Sequence, residues 1–265
     1  MNENSFIDDG YIVSERSLEI EKLKYIEDKF DNFEFSKKFV FDPFIAEPNM
    51  AEVFFNDGLI KTLRTILGDN FILLADTSLH HGRRNVMHTD NTSLLAEGID
   101  LFDGDGQFRM VTIGTYFQPS NGGDGLRVVP GTHLIDDRFE QYRHASVRNR
   151  FLNASRKILP EPIYKYIHPH NFSGQDLENS YGDSVIFDIR IEHRSQYQRF
   201  PNDLLPSSKV RKAIFHRACS SDMGRALAYQ NYLKNKKDYG YLKSKNRIIP
   251  KLVRELAEHY EVTVL

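Results

Sequence analysis

Residues 182–193 read GDSVIFDIRIEH, a turn followed by an apolar strand that ends in a histidine. Glycine and aspartate favour the turn, and the β-branched and aromatic residues favour the strand. Short apolar runs punctuated by Gly, Pro, Asn and Asp recur on both sides, at residues 71–74, 110–117, 126–129 and 210–216. This pattern predicts a mostly β core over about 71–216, flanked by α-helices, such as a double-stranded β-helix (the cupin-like jelly roll).

Helical patterns lie on both sides of this core. Ser14 is predicted to cap a first helix, and a second helix is predicted at residues 59–67, where Gly68 ends it. Beyond residue 222 the spacing of apolar residues becomes helical again. We therefore expect a single domain over residues 1–265, in which segments 1–70 and 222–265 pack on the core.

The composition excludes several classes of protein. Apolar residues make up 40% of the 265 residues and charged residues 27%, and the net charge of −2 gives no general attraction to nucleic acid or to an anionic membrane. The one cysteine, Cys219, excludes a disulfide framework and is expected to be a buried filler. Because no apolar run is long enough for a membrane span and the N-terminus lacks a signal pattern, we expect a cytoplasmic protein.

The triplet His88-Thr89-Asp90 is the main candidate for a metal site. On a strand, residues i and i+2 share one face, so His88 and Asp90 would point at the same place. With a distant histidine they would form the two-histidine, one-carboxylate triad that holds non-haem Fe(II) and leaves coordination positions open. Ten histidines and 21 aspartates in 265 residues predict about 0.8 such triplets by chance, so the other motifs must decide.

Three further segments follow the triplet. Residues 125–133 form a strand that runs into a turn at Pro130-Gly131. Residues 182–193 end at His193, and residues 208–215 place Arg211 on an alternating strand.

With these motifs the chain resembles the phytanoyl-CoA dioxygenase family of Fe(II)/2-oxoglutarate-dependent oxygenases. The similarity runs from Phe6 to Ala213, with the motifs in the family's order. The family's H-x-D motif corresponds to His88 and Asp90, its proline-glycine turn to residues 130–133, and its distal metal histidine to His193.

The resemblance implies Fe(II) bound by His88, Asp90 and His193 as the catalytic group. The co-substrate 2-oxoglutarate would react with O2 to give succinate and CO2, while an unactivated C–H bond of a small molecule or metabolite is hydroxylated. Related halogenases have a small residue at the position of Asp90, which admits chloride to the metal. An intact Asp90 therefore favours hydroxylation or another oxidative outcome over halogenation.

The same resemblance assigns Arg211 to the distal carboxylate of 2-oxoglutarate, where a guanidinium makes a paired, charge-assisted hydrogen bond. Ser195, two residues after His193, and Thr115 are the further residues expected to contact this co-substrate. The 18 residues between His193 and Arg211 (211 − 193) exceed the family's usual gap, so Arg199 remains a competitor.

Several neighbouring residues have two interpretations. Tyr116 and Gln118 share a strand with Thr115, and alternation aims only some of the three inward. The Thr-His pair at 132–133 is expected to brace its turn and not to bind metal. The arginine pair at 83–84 would either attract an anionic substrate or form a solvated edge.

Two other functions are weighed against the oxygenase. A non-catalytic jelly-roll binding module would keep the fold, but it has no need for three metal ligands and a carboxylate anchor. A zinc hydrolase accepts the same ligand types, but it would leave the arginine strand unexplained. The substrate is expected to be chosen by loops at 95–106, 138–179 and 196–207, and the sequence names neither the substrate nor the oligomeric state.

Overall fold

A computed structural model describes residues 3–30, 33, 39–81, 87–102, 107–120, 125–135, 174–196, 211–236 and 248–265. The strands are β1 Tyr11–Ser14, β2 Phe39–Phe41, β3 Ile72–His81, β4 Met110–Tyr116, β5 Leu126–Val129, β6 Gln175–Asp176, β7 Ser184–Asp188, β8 Glu192–Ser195, β9 Lys212–Cys219 and β10 Thr263–Val264. The helices are α1 Glu3–Asp9, α2 Ile20–Phe30, α3 Pro43–Ala46, α4 Asp57–Leu67, α5 Thr92–Leu95, α6 Met223–Lys234 and α7 Lys251–His259. Short 3₁₀ helices cover Pro48–Val53 and Thr132–Leu134.

The larger sheet runs in the order β1-β7-β4-β9-β3-β10, and β2 also pairs with β3. Its strand pairs are antiparallel except β10, which lies parallel to β3. The central strands β4 and β7 are buried at every residue. Burial of both faces explains why these strands read as continuous apolar runs in the sequence.

The smaller sheet runs in the order β6-β5-β8. Its Leu126 and Val128 pack with Tyr116, Val185 and Phe187 of the larger sheet. Two sheets that share an apolar layer in this way form the double-stranded β-helix expected from the sequence, which confirms the predicted fold class.

Helices cover the opposite face of the larger sheet. Leu23 of α2, Leu63 of α4 and Val253 of α7 belong to one buried cluster with Ile113 and Ile214 of the sheet. None of the helices within the described segments is both long enough and apolar enough to cross a bilayer.

The helix predicted at residues 59–67 is confirmed as α4. Asn56 caps it by accepting a hydrogen bond of 3.0 Å from the backbone N–H of Leu59, and Gly68 ends it. The first predicted helix is wrong at its start, because Ser14 ends β1 opposite Ser184 and α2 begins only at Ile20. Pairing with β7 satisfies the backbone of Ser14, and a local capping signal does not reveal such a distant partner.

The helical pattern beyond residue 222 corresponds to α6 and α7, and both helices pack on the sheets. The strand β10, which follows α7 and pairs with β3, was not expected. Residues 103–106, 136–173 and 197–210 lie outside the described residues, and they contain most of the predicted substrate loops. The single-domain organisation stays a prediction.

Candidate metal centre

The structure brings His88, Asp90 and His193 together in one cluster. The backbones of His88 and His193 form an isolated antiparallel bridge, in which each N–H donates to the other carbonyl, at 3.0 and 2.8 Å. The Asp90 N–H donates to the carbonyl of Ile189 at 2.9 Å. The H-x-D segment is therefore fixed to the loop and strand that carry the distal histidine.

The expected regular strand around the triplet is not present among the described residues. Only His88 makes a β-bridge, Asp90 lies in a turn, and residues 82–86 lie outside the described segments. The two side chains nevertheless face one point, because contacts with residues 189 and 193 orient each of them separately.

The spacing of the ligand atoms fits a single metal ion. Oδ1 of Asp90 lies 3.9 Å from Nε2 of His88 and 3.6 Å from Nε2 of His193. Nitrogen and oxygen ligands bind such metals at about 2.1 Å, so two atoms on one ion lie at most about 4.2 Å apart. Both separations meet this limit, and the residues are nearly buried, with His193 only 5% exposed.

His193 is oriented by its own loop. Its Nδ1 lies 3.1 Å from the carbonyl of Ile191. A carbonyl only accepts, so Nδ1 carries the proton and the lone pair of Nε2 faces the cluster. The ring of Phe187, with its centroid 4.6 Å away, covers one side of the imidazole.

Asp90 is held in its charged form. Its Oδ2 accepts a hydrogen bond of 2.8 Å from the Thr112 hydroxyl and lies 3.0 Å from Nη2 of Arg217. Burial alone would raise the pKa of this carboxyl, but Arg217, the two histidines and the Thr112 hydrogen bond outweigh burial and hold the pKa well below its usual range. The cluster thus offers two imidazoles and one carboxylate, the donor set that suits non-haem Fe(II).

A buried cation, Arg211, contacts the residue that lies two positions after the distal histidine. Arg211 is 4% exposed and donates to the hydroxyls of Ser195 and Tyr116, the latter at 2.8 Å. Within the described parts of the chain it forms no salt bridge, and its buried Nε lacks a hydrogen-bond partner. A buried guanidinium without a carboxylate calls for an anionic ligand. Arg199, the competing anchor, lies outside the described residues.

Thr115 is not brought to this cation. It lies on the opposite face of β4, where its hydroxyl forms a hydrogen bond of 2.6 Å with the Ser184 hydroxyl. The alternation of β4 therefore directs Tyr116 towards the smaller sheet and its neighbour Thr115, which is also buried, to the opposite face of the strand. Gln118 accepts a hydrogen bond from the backbone N–H of Lys212 at 2.9 Å.

The Thr-His pair at 132–133 supports the turn in which it lies. Thr132 donates to the carbonyl of Val129 at 2.7 Å and accepts from the N–H of Glu192 at 2.9 Å. Nε2 of His133 lies 2.9 Å from the carbonyl of Ile7, away from the metal cluster.

Further residues, which the sequence analysis did not predict, lie on the side of Asp90 that faces away from the two histidines. They are Thr112 on β4, Arg217 on β9, and Asp76 and Tyr229, which both contact Arg217. The sequence held a signal for Arg217, because the alternating stretch that follows Arg211 continues to residue 217, an even number of positions further on. The contacts of Asp76 and Tyr229 have no comparable local signal.

No protein-family model matches the chain, and no curated protein sequence matches it either. Solved structures do resemble it. HygX from Streptomyces hygroscopicus, with nickel and 2-oxoglutarate bound, superposes with a TM-score of 0.59 at 14% identity, over 84% of this chain and 88% of HygX. EctD from S. alaskensis, with 2-oxoglutarate and 5-hydroxyectoine, has a TM-score of 0.54 at 16% identity, over 82% of this chain and 74% of EctD.

A third similar structure is SnoN, a non-haem α-ketoglutarate-dependent epimerase from nogalamycin biosynthesis. Its TM-score is 0.54 at 11% identity, over 83% of this chain and 81% of SnoN. At these identities the likeness establishes the fold. The chain thus has the jelly-roll architecture of structures solved with iron or nickel and with 2-oxoglutarate, and it carries a His-Asp-His cluster that can hold a metal ion.

Proposed function

We propose that the chain is an Fe(II)- and 2-oxoglutarate-dependent dioxygenase, of the phytanoyl-CoA dioxygenase type, that hydroxylates a small molecule. The observation that carries this proposal is a pair of sites on one strand face. His193 and Ser195 are neighbours on the same side of β8; His193 belongs to the metal cluster, and Ser195 contacts Arg211. A metal triad and a buried cation arranged in this way fit a metal-bound dicarboxylate.

Strand β4 supports the same arrangement independently. Thr112 and Tyr116 lie on one face of this strand; Thr112 contacts Asp90, and Tyr116 contacts Arg211. Two strands therefore link the metal cluster to the cation through side chains that share a face.

When bound, Fe(II) would supply the oxidative chemistry in which 2-oxoglutarate and O2 are consumed, a C–H bond is hydroxylated, and succinate and CO2 form. His88, Asp90 and His193 would hold the ion through two imidazoles and one carboxylate. Arg211 would neutralise the distal carboxylate.

Tyr116 would donate the second hydrogen bond to that carboxylate. Its hydroxyl oxygen accepts a hydrogen bond from Nη2 of Arg211, which leaves its own O–H free to donate to a ligand. Burial raises the pKa of Tyr116, although Arg211 acts in the opposite direction, so the hydroxyl remains a donor at neutral pH. The buried setting also excludes water from the bound co-substrate.

The outcome that we propose is hydroxylation, because Asp90 occupies the position that a halide would need at the metal. EctD was solved with 5-hydroxyectoine and SnoN is an epimerase, so the fold alone supports more than one oxidative outcome. A cytoplasmic location belongs to the same proposal.

The test uses purified protein supplied with Fe(II), 2-oxoglutarate, ascorbate and O2, with succinate measured over time. We expect succinate from the wild type and none from His88→Ala or Asp90→Ala, whereas a change of the exposed His259 to Ala should have no effect. Succinate formation that survives both ligand changes would contradict the proposal. Metal and 2-oxoglutarate binding without succinate, over a broad substrate panel, would support the non-catalytic binding module instead.

A further inference from the structure

A buried ion network lies behind the proposed metal ligand Asp90. Arg217 is placed between two carboxylates, with Nη2 3.0 Å from Oδ2 of Asp90 and Nη1 2.9 Å from Oδ2 of Asp76. Its Nε donates to the Thr112 hydroxyl at 3.3 Å. Tyr229 contacts both members of the ion pair between Arg217 and Asp76, because its hydroxyl donates to Asp76 and accepts from Arg217.

The sheet brings these residues together from four elements. Arg217 lies on β9, opposite Thr112 on β4 and Leu74 on β3. The register between β3 and β9 shifts after Leu74, and Asp76 lies in this irregular stretch. Such a bulge redirects a side chain, and here it directs Asp76 to Arg217. Tyr229 arrives from α6 and is fully buried.

The two carboxylate oxygens of Asp90 have different partners. Oδ2 accepts from Thr112 and Arg217, whereas Oδ1 faces Nε2 of both histidines. An oxygen that already accepts two hydrogen bonds, one of them from a cation, is a poor additional metal ligand. The geometry therefore leaves one oxygen of Asp90 for the ion.

We propose that Arg217 is a positioning residue that commits Asp90 to metal binding through Oδ1 alone, and that Asp76 and Tyr229 hold Arg217 in place. This inference rests on the proposed metal site. An arginine suits the task because its rigid guanidinium reaches both carboxylates at once, whereas the ammonium of a lysine is a single point of charge. Hydrogen-bond partners of metal ligands commonly contribute about 10–100-fold to metal affinity.

A purely structural salt bridge would behave differently. Its loss would lower the free energy of unfolding but leave the metal affinity of the folded protein unchanged. Metal affinity, measured without turnover, therefore separates the two roles.

The experiment titrates Co(II) into metal-free protein and measures its Kd, with circular dichroism as the check on folding. We expect Arg217→Met to raise the Kd by about 10–100-fold and Arg217→Lys by a smaller factor. Tyr229→Phe should raise the Kd by about 2–5-fold, because Arg217 loses the hydrogen bond that helps to hold it in place. Tyr181→Phe is the matched control, because this tyrosine also donates to a carboxylate, Glu27 at 2.9 Å, on another part of the molecule.

A double-mutant cycle tests whether Tyr229 acts through Arg217. Tyr229→Phe should have no further effect in a protein that already carries a changed Arg217. If the methionine variant does not fold, the lysine variant takes its place in the cycle. An unchanged Kd in every folded Arg217 variant, or an undiminished effect of Tyr229→Phe in the cycle, would overturn the inference.

Failure of the metal site itself gives a different result. In that case the wild type would bind no Co(II), or His88→Ala would bind it as tightly as the wild type. Loss of binding in His88→Ala together with normal binding in the Arg217 variants would leave the proposed function standing and reject only the role of Arg217.

Discussion

The backbones of His88 and His193 exchange two hydrogen bonds, of 3.0 and 2.8 Å, although the residues lie in different thirds of the chain. Their rings are consequently held with centroids 4.3 Å apart. The bridge fixes the backbone position of each candidate ligand relative to the other.

The first prediction concerns Arg211 as the anchor of 2-oxoglutarate. Hydrogen bonds to charged groups contribute about 1.5–3 kcal/mol, so Arg211→Met should raise the Kd of 2-oxoglutarate by about 10–100-fold. The measurement is a titration of the Fe(II)-loaded protein without O2, followed by its difference spectrum. Arg199→Ala is the control and should leave the Kd unchanged. A raised Kd in Arg199→Ala together with an unchanged Kd in Arg211→Met would show that Arg199 binds the distal carboxylate.

A second prediction uses two adjacent residues that point to opposite faces. Tyr116→Phe removes a hydroxyl that contacts Arg211 and should weaken 2-oxoglutarate binding by about tenfold, or roughly 1.4 kcal/mol. Thr115→Val removes the hydrogen bond to Ser184 and should lower the free energy of unfolding by about 1 kcal/mol without changing the Kd. Weaker binding in the Thr115 variant would show that the other face of β4 also contributes to the site.

A third prediction concerns acid stability and His216. This side chain is fully buried against Phe44 and Phe54, and burial lowers its pKa from 6.5 to about 3. Between these values the unfolded chain binds a proton that the folded protein does not, so the contribution to stability is lost as the pH falls from 6.5 towards 3. At about 1.4 kcal/mol per pH unit, the loss reaches roughly 2 kcal/mol at pH 5.

His216→Leu should remove this contribution. Urea unfolding at pH 7 and at pH 5 should show a smaller acid-induced loss for the variant than for the wild type, by about 2 kcal/mol. The exposed His259, changed to Leu, controls for the loss of one histidine. Parallel pH dependence of the wild type and His216→Leu would show that His216 does not account for acid sensitivity.

A fourth prediction concerns the turn between α1 and β1. Gly10 has φ +81°, and a Cβ at this position would lie 2.4 Å from Nδ1 of His133. Gly10→Ala should therefore combine the strain of a positive φ with overpacking and lower the free energy of unfolding by about 2–4 kcal/mol. Gly98 has φ +74° but no atom within 4 Å of its Cβ position, so Gly98→Ala isolates the strain at about 1–2 kcal/mol. Equal losses in a thermal or urea unfolding experiment would argue against the clash with His133.

The sequence predicted much of the fold because local patterns are enough for it. Buried strands such as β4 and β7 read as continuous apolar runs, and α4 has both its spacing and its terminal glycine in the sequence. The start of the first helix was wrong because Ser14 extends the strand of Tyr11–Val13 by pairing with Ser184 of β7, a partner that is distant in the sequence.

The sequence predicted His88, Asp90 and His193 as candidate ligands because their chemistry and order along the chain are local properties, and the structure brings the three together. The tertiary structure alone decided which oxygen of Asp90 faces the histidines and which one Arg217 occupies. It also decided that Tyr116, and not Thr115, meets Arg211. These choices depend on strand register, on a bulge in β3 and on the helix that carries Tyr229, all of which bring together residues that are distant in the chain.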